Sequence, residues 1–141
     1  KGPPMIRQTI VFALATCIFF IFTAQSQAEE KQRCFEMRTY ITHDGKLDDL
    51  HTRFRDHTNG LFQKHSMQLV GYWTPTDGDD AANTLVYILA YESRDARDKA
   101  WAAFKADPDW QKVFKASRED GPIVKKVISK FLTPTDYSPI K

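Results

Sequence analysis

The chain has 141 residues, 42% hydrophobic and 13% aromatic, with 27% charged, which argues against disorder for most of its length. It is one domain's worth, with ample material for a packed core. The formal net charge of +2, and the lack of any basic stripe interleaved with aromatics, give no grounds for a nucleic-acid partner.

Residues 1–28 stand apart. Arg7 precedes an apolar run from Ile10 to Thr23, followed by Ala24 to Ala28, AQSQA. A basic start, a short apolar middle and small residues at Ser26 and Ala28 predict a secretory signal peptide, cut after Ala28, and hence a secreted or periplasmic protein. A retained anchor is the alternative, although the run falls short of the ~20 residues a spanning helix needs; a lipoprotein modified at Cys17 is another. With the segment removed no stable membrane span remains. Cleavage takes Lys1 and Arg7 from the 20 basic groups and none of the 18 acidic ones, so the mature chain is formally neutral. Only Cys34 survives, and an unpaired thiol at the start of a strand is expected to be buried.

After a linker at 29–33, Cys34 to Thr42, CFEMRTYIT, reads as the first strand, bounded by His43, Asp44 and Gly45. Its alternation sends Phe35, Met37, Thr39 and Ile41 to one face and Cys34, Glu36, Arg38 and Tyr40 to the other. The first set suits a helix-covered core; the second suits an inner surface with polar work to do. From Lys46 to His65 the apolar period places Leu47, Leu50, Phe54, His57 and Leu61 on one helical face, with Asp44 or Gly45 as cap and Gly60 as a weak point. Met67 to Thr76 is the second strand, Asp77 to Ala82 a polar loop, and Asn83 to Glu92 a third, nearly continuously apolar strand that calls for cover on both sides. Ser93 caps a helix bearing Ala96, Ala100, Trp101 and Phe104. Asp107 and Pro108 open another with Trp110, Val113, Phe114 and Ser117 inward, ended by Gly121. Ile123 to Thr133 is the last strand, and Pro134 to Lys141 a C-terminal arm.

This order predicts an α+β fold of the ferredoxin-like kind, β-α-β-β-α-α-β, with an antiparallel four-stranded sheet. Helices cover one face of such a sheet. The demands of the third strand for cover on the other predict a homodimer packed sheet to sheet.

The stretches FEMRTYITHDGKLDDLHTRFRDHT, LFQKHSMQLVGYW, NTLVYILAYESRDARDKAW, DPDW and FLTPTDYSP closely resemble the NIPSNAP family, particularly its secreted bacterial members, over about residues 34 to 139. Ser66 departs from the pattern, standing where glycine is expected after KH. The family is similar to the dimeric α/β barrels, so the resemblance implies that fold and a dimer. It implies little chemistry. Members share no agreed reaction, eukaryotic ones are associated with mitochondria, vesicles and protein partners, and the architectural cousins include cofactor-free monooxygenases, haem enzymes and lactone isomerases.

His57, in a position a leucine would fill, is the candidate catalytic base or pocket donor; a core histidine satisfied by a neighbour is the plainer reading. Arg38 and Tyr40, two residues apart on one face, could hold a carboxylate or polarise a carbonyl, with a Glu36–Arg38 ion pair in the dimer interface as the alternative. His51, His57 and His65 miss the i, i+4 spacing of a shared metal, and no CxxCH occurs, so no metal or cofactor is expected; His57 would be the one candidate for an axial haem ligand. Among the aromatics, Trp73 and Tyr87 are expected to join Arg38, Tyr40 and His57 in lining a ligand pocket. The reading is a secreted homodimer that binds a small apolar or aromatic ligand. The alternatives are a cofactor-independent oxygenase or isomerase, with His57 as base and Arg38 stabilising an oxyanion, and a protein-interaction module.

Overall fold

The computed structural model describes residues 33–141, together with Gly2. The expected signal peptide and the start of the linker lie outside the described residues. Four strands, β1 (Cys34–Thr42), β2 (Gln68–Trp73), β3 (Thr84–Tyr91) and β4 (Val124–Leu132), form one sheet in the order β2-β3-β1-β4. Every neighbouring pair is antiparallel. With the helices on one side, this is the ferredoxin-like arrangement.

Between β1 and β2 the chain runs as α1 (Leu47–Arg53), a π-helical turn (Phe54–Thr58) and α2 (Asn59–Lys64) without leaving the helical region. The helix passes through Gly60, as the apolar phase predicts. It starts at Lys46, with no side-chain cap, and Gly45 (φ 71°) takes the turn before it. The π turn inserts a residue into the period. Leu50, Arg53, Phe54, Thr58 and Phe62 are the buried positions, and His57 is exposed. Thr58 occupies the place expected of His57, and its hydroxyl donates to the Arg53 carbonyl at 3.1 Å.

The helix ends in a Schellman motif: the Met67 N–H bonds the Phe62 carbonyl at 2.9 Å and the Ser66 N–H that of Gln63 at 3.0 Å. Ser66 therefore adopts φ 59° itself, doing without glycine what the motif requires, and buried Met67 and Phe62 supply its apolar contact. The remaining caps are those the sequence announces. Ser93 Oγ accepts from Ala96 N–H at 3.1 Å to open α3 (Arg94–Ala106). Asp107 accepts from Asp109 N–H at 2.8 Å to open α4 (Pro108–Ala116), with Pro108 in the first turn.

The helix-covered face of the sheet corrects the expectation. It carries Cys34, Glu36, Arg38 and Tyr40, and the paired positions of β3 and β4, including Tyr87, Leu89, Ser129 and Val127. Phe35, Met37, Thr39 and Ile41 face the opposite side, with Val86, Ile88 and Ile128 beside them. Glu36 makes the polar face viable. It is fully buried, and its carboxylate accepts from Arg38 Nη1 (2.7 Å), Arg97 Nε (2.8 Å) and Nη2 (2.7 Å), Ser129 Oγ (2.6 Å) and Trp101 Nε1 (3.1 Å). The Glu36–Arg38 pair thus lies beneath α3, not in an interface between sheets. Around it lies an aromatic cluster: Phe54 stands edge to face 5.2 Å from Tyr87, and Phe62 edge to face 5.5 Å from Trp101 and tilted 4.9 Å from Phe104. Cys34 is half-buried, and burial raises its thiol pKa. No helix among the described residues is long and apolar enough to cross a membrane.

Candidate ligand-binding site

A cavity of about 570 Å³ opens between the sheet and the helices. Tyr40 of β1 and Val124 of β4 form its floor, with Val127 of β4 at the edge; Arg53, Phe54 and Thr58 at the π turn, Trp101 and Phe104 of α3, and Trp110 and Phe114 of α4 enclose it. Two of the apolar lining residues, Val127 and Phe114, are exposed at its rim. The cavity exists because α4 stands off the sheet. None of its residues is fully buried, although Trp110 packs 4.4 Å from Phe104 and 5.4 Å from Phe114.

Arg53 is the buried charged group on this wall. Its place at the end of α1, immediately before the π turn, buries it to 5% exposure. Its Nη1 donates to Ser117 Oγ at 3.2 Å, and its guanidinium carbon sits 5.7 Å from the Trp110 ring and 5.8 Å from that of Phe114. Nε makes no hydrogen bond, and no carboxylate reaches the group among the described residues. Burial lowers its pKa from the ordinary value, Tyr40 and Tyr87 opposing and nearby Arg118 reinforcing the effect. Arg38 contrasts with it. That guanidinium is paired with Glu36, lies 4.3 Å over the Trp101 ring, and approaches the Tyr40 hydroxyl at 3.5 Å.

The expected site residues thus separate. Tyr40 lines the cavity, and Arg38 lies beside it, committed to the Glu36 network. His57 points out of it, into a more open groove of about 710 Å³ lined by Lys46, Asp49, Asp109, Lys112 and Asp120, which Arg53 and Ser117 also border. Trp73 is 52% exposed on the opposite face of the sheet, with its ring over Gly71. Tyr87 is fully buried under Tyr40, Phe54 and Tyr72, and its hydroxyl makes no hydrogen bond among the described residues. Arg53 was missed, though a signal existed: it follows Leu50 by three residues and precedes Phe54, on the apolar stripe itself. Among the described residues no group of three or more His, Cys, Asp or Glu side chains is placed to hold a metal ion.

The NIPSNAP family model matches residues 35–139. The chain belongs to the NIPSNAP family. Solved structures agree. A NIPSNAP family protein of unknown function from Agrobacterium tumefaciens is 26% identical, with a TM-score of 0.69 over 79% of this chain and 96% of that one. An uncharacterised NIPSNAP domain protein from Burkholderia xenovorans is 27% identical, with a TM-score of 0.65 over 75% of this chain and 98% of that one. SnoaB, a cofactor-independent oxygenase from Streptomyces nogalater, shares the fold at 17% identity and a TM-score of 0.52, over 77% of this chain and 98% of that one. No curated protein matches this NIPSNAP chain.

Proposed function

We propose that this NIPSNAP protein is an exported homodimer in which each protomer binds a small, planar, largely apolar molecule between sheet and helices. The observation that carries the reading is the cavity of about 570 Å³, walled by Tyr40, Phe54, Trp101, Trp110 and Phe114, within the size range of small-molecule sites. Its open rim gives a ligand a way in. The oxygenase reading of the fold comes second, because the lining includes neither histidine nor carboxylate to act as a base and His57 faces away.

The neutral fluorophore N-phenyl-1-naphthylamine tests the cavity directly. Saturable binding, with energy transfer from Trp101 and Trp110, is expected, weakened about tenfold or more in Val127→Trp, which narrows the mouth from an exposed position and leaves the fold intact. Binding that does not saturate, or that ignores this substitution, would overturn the assignment. Export has its own readout. The protein recovered from a periplasmic or culture-medium fraction is expected to have the mass of a chain starting at Glu29, and an intact N-terminus on a cytoplasmic protein would refute it.

A further inference from the structure

Resting on that ligand-binding reading, we infer that the ligand is a carboxylate: a planar apolar body in the aromatic part of the cavity and an anionic head on the guanidinium of Arg53. Three features of the wall converge on this. Arg53 is 95% buried, yet among the described residues its only polar partner is the neutral hydroxyl of Ser117, bonded to Nη1. The Nε–H, buried and unsatisfied, belongs to the other edge of the fork, where Nε and Nη2 present two parallel donors. That edge matches the two oxygens of a carboxylate. The remaining charged residues of this lining, Lys105 and Arg118, are also basic, whereas Asp49, Asp109 and Asp120 line the separate groove on the Ser117 side of Arg53 and none of them pairs with it.

A charge withdrawn from water without a counter-charge is costly. Arg38, on β1, shows how this fold neutralises a guanidinium it keeps for itself, with the buried Glu36. Arg53 has no such partner among the described residues, and it lines a cavity. Its counter-ion then arrives with the ligand, while Trp110 and Phe114, both flanking the guanidinium, supply surface for the apolar body.

The test is competition against N-phenyl-1-naphthylamine by 2-naphthoate and by its neutral isostere 2-naphthamide, at constant ionic strength and neutral pH. In the wild-type protein the carboxylate is expected to bind roughly ten- to a hundredfold tighter than the amide, the range for charge-assisted hydrogen bonds. Arg53→Gln should erase the difference while leaving the amide's affinity nearly unchanged. Arg53→Lys should keep part of it, and His57→Ala should retain it. Equal affinities in the wild type, or a carboxylate preference that survives Arg53→Gln, overturn the inference and leave the cavity standing. Failure of both compounds, together with failure of the neutral fluorophore, removes the cavity reading itself. Should Arg53→Gln not fold, the wild-type pair and Arg53→Lys carry the comparison.

Discussion

Glu36→Ala is expected to lower the stability of the fold by about 3–5 kcal/mol, the range for breaking a buried ion pair by deleting one partner. The magnitude follows from what is left behind. Glu36 is fully buried and pairs with both Arg38 and Arg97, whose side chains are only 13% and 18% exposed. Its removal leaves two largely desolvated guanidinium groups facing each other, and leaves the Ser129 hydroxyl and the Trp101 indole N–H each without one acceptor. At about 4–8 °C per kcal/mol for a domain of this size, thermal denaturation should show a fall in midpoint of tens of degrees. Glu36→Gln, which keeps the shape and one acceptor oxygen, should lose less. The same group sets the acid limb. Burial alone would raise the Glu36 pKa, but hydrogen bonds from Arg97, Ser129 and Arg38 bring it from 4.5 down to about 2. Between those values the unfolded chain holds a proton that the folded chain does not, so stability rises with pH across this window. The contribution is complete above pH 4.5, is lost as pH falls through about 2, and amounts to about 3 kcal/mol at most. An unchanged acid limb in Glu36→Gln would contradict this assignment.

That network explains which parts of the structure could be read in advance. Strand positions, the Ser93 cap and the Asp107-Pro108 start are local signals, and they place the elements to within a few residues. The facing of β1 is not local. Glu36 and Arg38 look like solvent or interface residues until the groups that satisfy Glu36 are known, and Arg97, Trp101 and Ser129 lie 61, 65 and 93 residues further on. The phase of the helix failed for a different reason. Leu47, Leu50, Phe54, His57 and Leu61 fit an uninterrupted 3.6-residue period, and nothing in that pattern announces that the turn from Phe54 to Thr58 is π-helical. One inserted residue exchanges His57 for Thr58. Arg53 escaped notice because a charge on an apolar stripe is ordinarily assigned to the edge of the stripe, where its stem is buried and its head wet.

Ile88→Glu is expected to turn a dimer into a folded monomer, and this is the largest effect anticipated on assembly. The face of the sheet away from the helices is apolar at its centre, where Met37, Thr39 and Ile41 of β1 adjoin Val86 and Ile88 of β3 and Ile128 of β4. These side chains are only partly buried in the protomer, whereas the other face of β3 is entirely buried. Trp73 on edge strand β2 and Lys126 and Lys130 on edge strand β4 frame the patch, so the charges lie at its rim. The C-terminal segment from Thr133 covers the end bounded by Phe35, Val70 and Ile140 and reaches as far as the border of Ile88. A second copy related by a two-fold axis would cover the rest and place the two copies of Ile88 in one shared, water-excluding layer. Each protomer would then contribute a carboxylate to that layer, at several kcal/mol per buried ion, which is a loss of roughly a thousandfold or more in dimer affinity. In the isolated protomer the same side chain reaches water, and its β-strand neighbours Met37 and Gly71 carry no charge to oppose it. Sedimentation equilibrium on the chain from Glu29 at micromolar concentration should give a dimer for the wild type and a monomer for Ile88→Glu, with matching circular dichroism spectra. A wild-type chain that sediments as a monomer would leave the apolar face without its proposed cover. A dimer that persists in Ile88→Glu would move the interface to another surface.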